Sequence, residues 1–400
     1  MRRRAAVLLL LPALLAAACA SGAAEEPGRG AKAAAGAVAG APAPRRPFAA
    51  LGERLLDGGT AMYPRLLRLR DGRVLLSVMT GPAGGITDTV RFYASADEGR
   101  TFAPLSALSD SAAAQGRGGC CGAPFEPSPG VLLWAATTGM KNRAPGRRAA
   151  LRVWRSTDGG RTWAYLSSCA EAPPGTRWDR GLWEPELALD AAGRLVCLFS
   201  DETVRGHPQV IASVTSGDGG ATWGPRRILV GGGPRDRPGM PVVRRLPSGT
   251  YLMAYELCGR SGCGVRLRTS PDGQAWGPAV TPRDVGGRTL FHAPTLALLP
   301  GGRVLLVGGL VRDARGRLDR AASGTTVFTN VATGPAGRWL AEPAPVRVPF
   351  SANPTAAELV CANYSSALLP VASGQGLLEA ATRPDGGTCR AYTAALPLLR

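Results

Sequence analysis

Short apolar runs recur along this chain, each close behind a glycine. They read RVLLSVM from Arg73, VLLWAAT from Val131, RLVCLFS from Arg194, TYLMAYE from Thr250, RVLLVGG from Arg303 and QGLLEAA from Gln375. A second signal precedes the glycine by eight positions. Pro64, Pro185, Pro241 and Pro294 stand ahead of Gly72, Gly193, Gly249 and Gly302, with Gly122 to Gly130 and Ser366 to Gly374 as weaker copies. The pattern predicts strand, glycine turn and strand in six copies, 53–72 residues apart. A proline as the first residue of each leading strand would cost no ladder bond.

Between these units lies a repeated phrase: SADEGRTF from Ser95, STDGGRTW from Ser156, SGDGGATW from Ser216 and a shortened SPDGQAW from Ser270. Asp97, Asp158, Asp218 and Asp272 can fold back on the amides of a tight turn, the glycines permit positive φ, and the closing aromatic plugs between strands. The phrase therefore reads as an outer-hairpin turn with no part in chemistry. Four short strands in about 60 residues, repeated radially, make a propeller blade. The expected fold is all-β, a six-bladed β-propeller over residues 46–400.

The residues ahead of this array read as an address. Arg2–Arg4 is basic and Ala5–Ala18 is apolar but too short to span a bilayer, so residues 1–18 read as a signal peptide. The stretch LLAAACASG sets Cys19 where a bacterial lipoprotein is cleaved and acylated; cleavage after Ala16–Ala18 is the alternative. Residues 19–45, beginning at a lipidated Cys19 and rich in Ala, Gly and Pro, read as a flexible tether. The expectation is an exported monomer at the cell surface, held to the membrane by its lipid alone, or otherwise secreted.

Eight cysteines remain beyond Cys19, an even number compatible with disulfides. Cys258 and Cys263 can staple one loop, and Cys361 and Cys389 can tie the chain end to the last blade. The adjacent Cys120 and Cys121 can bridge each other or pair elsewhere. With only His207 and His292 and no zinc-like spacing, neither a metal nor another cofactor is expected. The formal charge of +18 comes almost wholly from arginine, since only Lys32 and Lys141 are lysines. The arginines are scattered and not interleaved with aromatics, which argues against nucleic-acid binding and leaves room for attraction to acidic polymers.

In a propeller the first strand of each blade lines the axle, so the residues just ahead of the proline column converge on one face. They are Met62–Tyr63, Cys120–Cys121, Trp183–Glu184, Gly239–Met240, His292–Ala293 and Tyr364–Ser365. The second strand runs back antiparallel and ends on the same face. It adds Asp201 and Glu202 beside Glu184, and Glu256 beside Met240. Two carboxylates meeting from neighbouring blades is the requirement for glycosidic cleavage, one protonated and one ionised. Trp178 and Trp183 would stack on sugar, while Asp201, Glu202, His292, Tyr63 and Arg237 would position it. Glu186, deeper in the channel, reads as a structural partner for Arg65 or Arg237.

The runs GLWEPEL and LFSDE, with RPGMPVVRRLPSGTYLMAYELCG, resemble those of glycoside hydrolase family 93, the exo-1,5-α-L-arabinanases of the sialidase-like superfamily. The resemblance covers most of the propeller. It implies release of arabinobiose from non-reducing ends of linear α-1,5-arabinan with retention, Glu184 as acid/base and Glu256 as nucleophile. NYSSALLP, from Asn363, is similar to the segment that carries the tyrosine nucleophile of true sialidases, which would make Tyr364 catalytic. Those enzymes grip the sialate carboxylate with an arginine where this chain has Met62, so the clamp is missing. Two further alternatives are a non-catalytic glycan-binding propeller and a surface interaction propeller in which Arg65 or Arg237 neutralises the glutamates. The partner expected on the main reading is an oligo- or polysaccharide.

Overall fold

The predicted strand pairs close into six antiparallel sheets. A computed structural model describes residues 48–80, 89–110, 119–139, 148–177, 179–333, 337–351 and 354–398. The assignments made for residues 1–45, Cys19 among them, and for Trp178 lie outside the described residues. Strand β1 (Leu51–Leu55) belongs to the last blade, where it pairs antiparallel with the final strand, β25 (Thr388–Pro397). This pairing closes the ring with hydrogen bonds between the two ends of the array.

Blade 1 holds β2 (Met62–Arg68), β3 (Val74–Met79), β4 (Thr89–Ser95) and β5 (Ala103–Ser109), and blade 2 holds β6 (Cys120–Ser128) to β9 (Ala164–Glu171). Blade 3 runs from β10 (Leu182–Leu189) through β11 (Leu195–Asp201) to β13 (Arg227–Val230). Blade 4 holds β14 (Arg237–Arg245), β15 (Tyr251–Gly259) and β16 (Gly262–Ser270), extended by β17 (Thr289–Phe291) and β20 (Leu310–Arg312). Blade 5 starts at β18 (Thr295–Leu298) and blade 6 at β23 (Ala367–Pro370). The apolar runs are the second strands. β3 and β11 are buried along their whole length because both faces meet neighbouring blades, which explains runs without alternation.

The prolines are placed differently from the expectation. Pro64, Pro185 and Pro241 lie inside their strands, at β-bulges. In β2 the ladder jumps from Met62↔Met79 to Arg65↔Ser77, so that Tyr63 and Pro64 together oppose Val78. The same jump occurs at Trp183/Glu186, at Gly239/Val242 and, in blade 2, at Cys120/Ala123. A bulge leaves an amide out of the ladder, so proline is tolerated there as well as at a strand start. The residue before each proline-column position has positive φ: Tyr63 (51°), Cys121 (59°), Glu184 (47°), Met240 (54°), Ala293 (46°) and Ser365 (56°).

The repeated turns hold the blades to one another. In the second copy Ser156 Oγ donates to Asp158 Oδ1 (2.8 Å) and accepts from Gly160 N (2.9 Å), while Asp158 accepts from Thr162 N and Thr162 Oγ1 (3.0 and 2.6 Å). The closing aromatic plugs between blades. Trp163 stacks on Phe92 of blade 1 at 4.6 Å, and Gly160 O accepts from Ser106 Oγ of β5 (2.5 Å). The next copy repeats the contact, with Trp223 Nε1 donating to Ser167 Oγ (3.0 Å) and Gly220 O accepting from the same hydroxyl (2.5 Å). Three cysteine pairs form as anticipated, Cys120–Cys121, Cys258–Cys263 and Cys361–Cys389; Cys169 and Cys197 are buried free thiols.

Trp163→Ala removes a stacked aromatic that is partly buried at the seam of blades 1 and 2. Its cost should be about 2–3 kcal/mol, below that of a fully buried tryptophan. Urea unfolding checks this, and a change below about 0.5 kcal/mol would show that the turns do not fasten the blades.

Candidate active site

The bulges decide which side chains reach the mouth of the axle. Cys120, Trp183, Glu184, His292 and Tyr364 are half-buried there, whereas Met62, Tyr63, Cys121, Met240, Ala293 and Ser365 are buried. Glu184 is itself a bulge residue on β10. Its Oε2 accepts from Ser200 Oγ at 2.8 Å, and Ser200 Oγ in turn accepts from Met240 N at 2.9 Å. Met240 is the bulge residue of the next blade. The Ser200 hydroxyl thus accepts from the Met240 amide and donates its proton to Glu184.

Glu256 stands opposite Gly239 in the register of blade 4. Its Oε2 accepts from Ala293 N at 2.9 Å and lies 3.3 Å from His292 Nδ1. Ala293 holds the same positive-φ position in blade 5, just ahead of β18 and not in a bulge, so a backbone amide at this position serves both carboxyl groups. It acts through a hydroxyl for Glu184 and directly for Glu256. The ring of Tyr364 meets His292 edge-on at 5.4 Å and lies 6.0 Å from Tyr63.

The two glutamates differ electrostatically. Burial raises the Glu184 carboxyl to about 8; the Ser200 hydrogen bond pulls it down, and repulsion from Glu256 and Glu202 pushes it further up. Glu184 is therefore protonated at neutral pH. Tyr364 is raised well above the ordinary phenol by burial, then by the charges of Glu184 and Glu256. It stays a neutral phenol at the pH where Glu184 titrates.

Neither glutamate of the pair is neutralised by arginine among the described residues. Arg65 is buried, lies 3.7 Å over the Tyr63 ring, and donates to Ser365 O (3.0 Å) and Ser365 Oγ (2.9 Å). Arg237 pairs with Glu202 and donates to Gln209 Oε1 (2.8 Å). Glu186 is indeed structural, but its partner is Arg244 at 2.6 Å and neither Arg65 nor Arg237.

Four positions assigned to sugar contact are corrected. Asp201 is fully buried, ion-paired to Arg226 at 2.7 Å and bonded to Thr203 N and Oγ1. Its carboxylate is used up holding a loop. Tyr63 is buried beneath the mouth and supports Tyr364 from below. Glu202 accepts from Trp183 Nε1 (2.8 Å) and Gly181 N (2.9 Å) while pairing Arg237, so it and Arg237 orient the indole. Ser200 was missed from the sequence. The strand register held the signal, since Ser200 faces Trp183 across the β10–β11 ladder.

Glu256, Cys263 and His292 have ligand atoms within 4.8 Å of one another. The Cys263 sulfur is bonded to Cys258, so it is not a thiolate, and two donors do not make a tetrahedral site.

The chain has the six-bladed fold of the sialidase-like propellers. It superimposes on the α-L-arabinanase of Penicillium chrysogenum, solved with arabinobiose, with a TM-score of 0.68 and 21% identity over 88% of this chain and 99% of that one. The family 93 α-L-arabinofuranosidase of Fusarium graminearum, also solved with arabinobiose, gives 0.66 and 22% over 88% and 98%. The Trypanosoma rangeli sialidase gives 0.57 and 12% over 84% of this chain and 55% of that one. No family model matches the sequence. Sulfite oxidase of Gallus gallus is 33% identical over 94 residues, 22% of this chain and 20% of that protein, so the chain spans a fifth of that curated relative and the match assigns no family.

In a carboxyl-selective NMR titration Glu184 should titrate near pH 8. Ser200→Ala removes the one hydrogen bond that lowers it, so the midpoint should move up. An unmoved or lower midpoint would remove Ser200 from the site.

Proposed function

We propose that this protein is an exported retaining glycoside hydrolase, an exo-acting α-1,5-L-arabinanase that releases arabinobiose from non-reducing ends. The observation that carries the reading is the asymmetry of the pair. Glu184 holds its proton at neutral pH, and Glu256 is fixed by the Ala293 amide with no arginine on either carboxyl. Arabinobiose bound to the Penicillium and Fusarium proteins of the same fold supports the sugar class.

The chemistry follows from the electrostatics. Glu184 gives its proton to the departing glycosidic oxygen while Glu256 attacks the anomeric carbon, forming a glycosyl ester. Ester formation removes the charge on Glu256, and with it one of the repulsions that raise Glu184. The Glu184 carboxyl then becomes the base that takes a proton from water as the ester is hydrolysed. Mutual repulsion thus sets the acid role in the first half and releases the base role in the second. Trp183, held by Glu202, offers an indole face, and His292 with Tyr364 lines the opposite blades.

A sialidase with Tyr364 as nucleophile is disfavoured. Two flanking carboxyls oppose a phenolate, and Arg65 is committed to Ser365.

Glu256→Ala should lower arabinobiose release from linear arabinan at least ~10⁴-fold with an unchanged circular dichroism spectrum. Glu184→Gln should fail on arabinan yet still turn over an aryl arabinoside, whose leaving group needs no proton, and kcat/KM of the native enzyme should fall as pH rises through about 8. Undiminished hydrolysis in Glu256→Ala would end the proposal. Acylation at Cys19 belongs to the same reading, and Cys19→Ala should move the protein from the membrane fraction to the soluble one.

A further inference from the structure

Beside the mouth, on the blade 4 side, lies a second pocket of about 250 Å³. Its walls include Arg235, Arg260, Arg266, Asp236, Cys258 and Phe291. It adjoins the pair directly, because the Cys258 sulfur lies 3.3 Å from Glu256 Oε1 and Phe291 precedes His292. The Cys258–Cys263 bridge clamps the β15–β16 hairpin that forms one wall.

The charges in this pocket are unbalanced. Among the described residues no carboxylate lies within ion-pair distance of Arg235, Arg260 or Arg266, although Arg226, Arg237 and Arg244 around the neighbouring mouth each hold one. Asp236 offsets only one of the three positive charges, and its Oδ2 accepts from Gly233 N at 2.9 Å within its own loop. Arg266 is half-buried, and its one recorded hydrogen bond goes from Nη1 to the carbonyl of Val265 at 3.0 Å. Gly264 makes room for it, because a Cβ there would sit 2.8 Å from Nη1. Phe291 is covered on one side by Arg312, 4.0 Å over the ring. The half-buried Arg266 and the exposed Arg235 and Arg260 make this wall positive, and a planar guanidinium fork matches a carboxylate.

We propose that this pocket is a subsite for a sugar carboxylate, so that beside neutral arabinan the site also takes glycans in which an acidic residue follows the neutral end engaged at Glu184 and Glu256. The inference rests on the glycosidase reading for the placement of the chain, though binding can be measured without turnover. A hexuronate and a sialate both supply a carboxylate, and the experiment separates them.

Isothermal calorimetry on the full-length protein, at low and physiological salt, would compare α-1,5-arabinotriose, trigalacturonate and 3′-sialyllactose. At least one acidic oligosaccharide should bind with salt-sensitive affinity, and the double variant Arg260→Gln/Arg266→Gln should weaken it at least tenfold. Gly264→Ala, which displaces the guanidinium without removing charge, should weaken the same ligand. The acidic sugar that responds identifies the source. No binding of either acidic sugar, or equal binding by protein and double variant, would overturn the subsite. Arginine-dependent binding in a protein that cleaves no glycan would keep the subsite and sink the hydrolase.

Discussion

The positive-φ position at the entry of each inner strand is the constraint on which the site depends, set in a β-bulge in blades 1 to 4 and just ahead of the strand in blades 5 and 6. It puts a non-glycine residue into the left-handed region in every blade, from Tyr63 to Ser365, at a cost of about 1–3 kcal/mol each. The cost is borne by blade packing, in which strands such as β3 and β11 are buried throughout. Two returns follow. The bulge turns the Glu184 side chain toward the mouth, and it frees backbone amides from the ladder. Met240 N is such an amide, and Ala293 N, ahead of β18, plays the same part; each is delivered to a site group of the preceding blade. Neighbouring blades are thus coupled at the site by backbone donors and by the side chains of Ser200 and Glu256 that accept from them.

The fold was legible because repetition multiplies weak signals. One Pro-to-Gly spacing predicts little; four copies and two weaker ones, with four Asp-containing turns between them, define blades and their number. The convergence of Glu184 and Glu256 was legible for the same reason, since the register names residues that share a face. The bulge was not legible. A proline inside a bulge and a proline at a strand start satisfy the same donor accounting, and only the ladder pairing separates them. Asp201 failed differently. It shares the correct end of β11 with Glu202, but its carboxylate turns to Arg226, a contact 25 residues away that no local pattern reports. Tyr63 stands at the proper position in the column but is left under the floor by its bulge, with Arg65 above its ring.

Arginine placement argues for an acid of catalytic type over a structural one. In a chain of net charge +18, a carboxylate near any surface is expected to find a guanidinium. Around this mouth Arg226 goes to Asp201, Arg237 to Glu202 and Arg244 to Glu186, while Arg65 is spent on Ser365 and the Tyr63 ring. Had any of them reached Glu184, the pairing would have favoured the ionised form and taken its proton at neutral pH. The supporting acids Asp201, Glu202 and Glu186 therefore do two things: they hold loops and the Trp183 indole, and they keep cations off the pair. Replacing the Glu202 carboxylate by an amide would leave Arg237 without its counter-charge beside Trp183. Repulsion from Glu202 on Glu184 would vanish together with that restraint on Arg237, and both changes lower the Glu184 carboxyl. Burial and repulsion hold the proton on Glu184 against the Ser200 hydrogen bond and the charge of Arg65, and they prevail because no arginine among the described residues pairs with it directly.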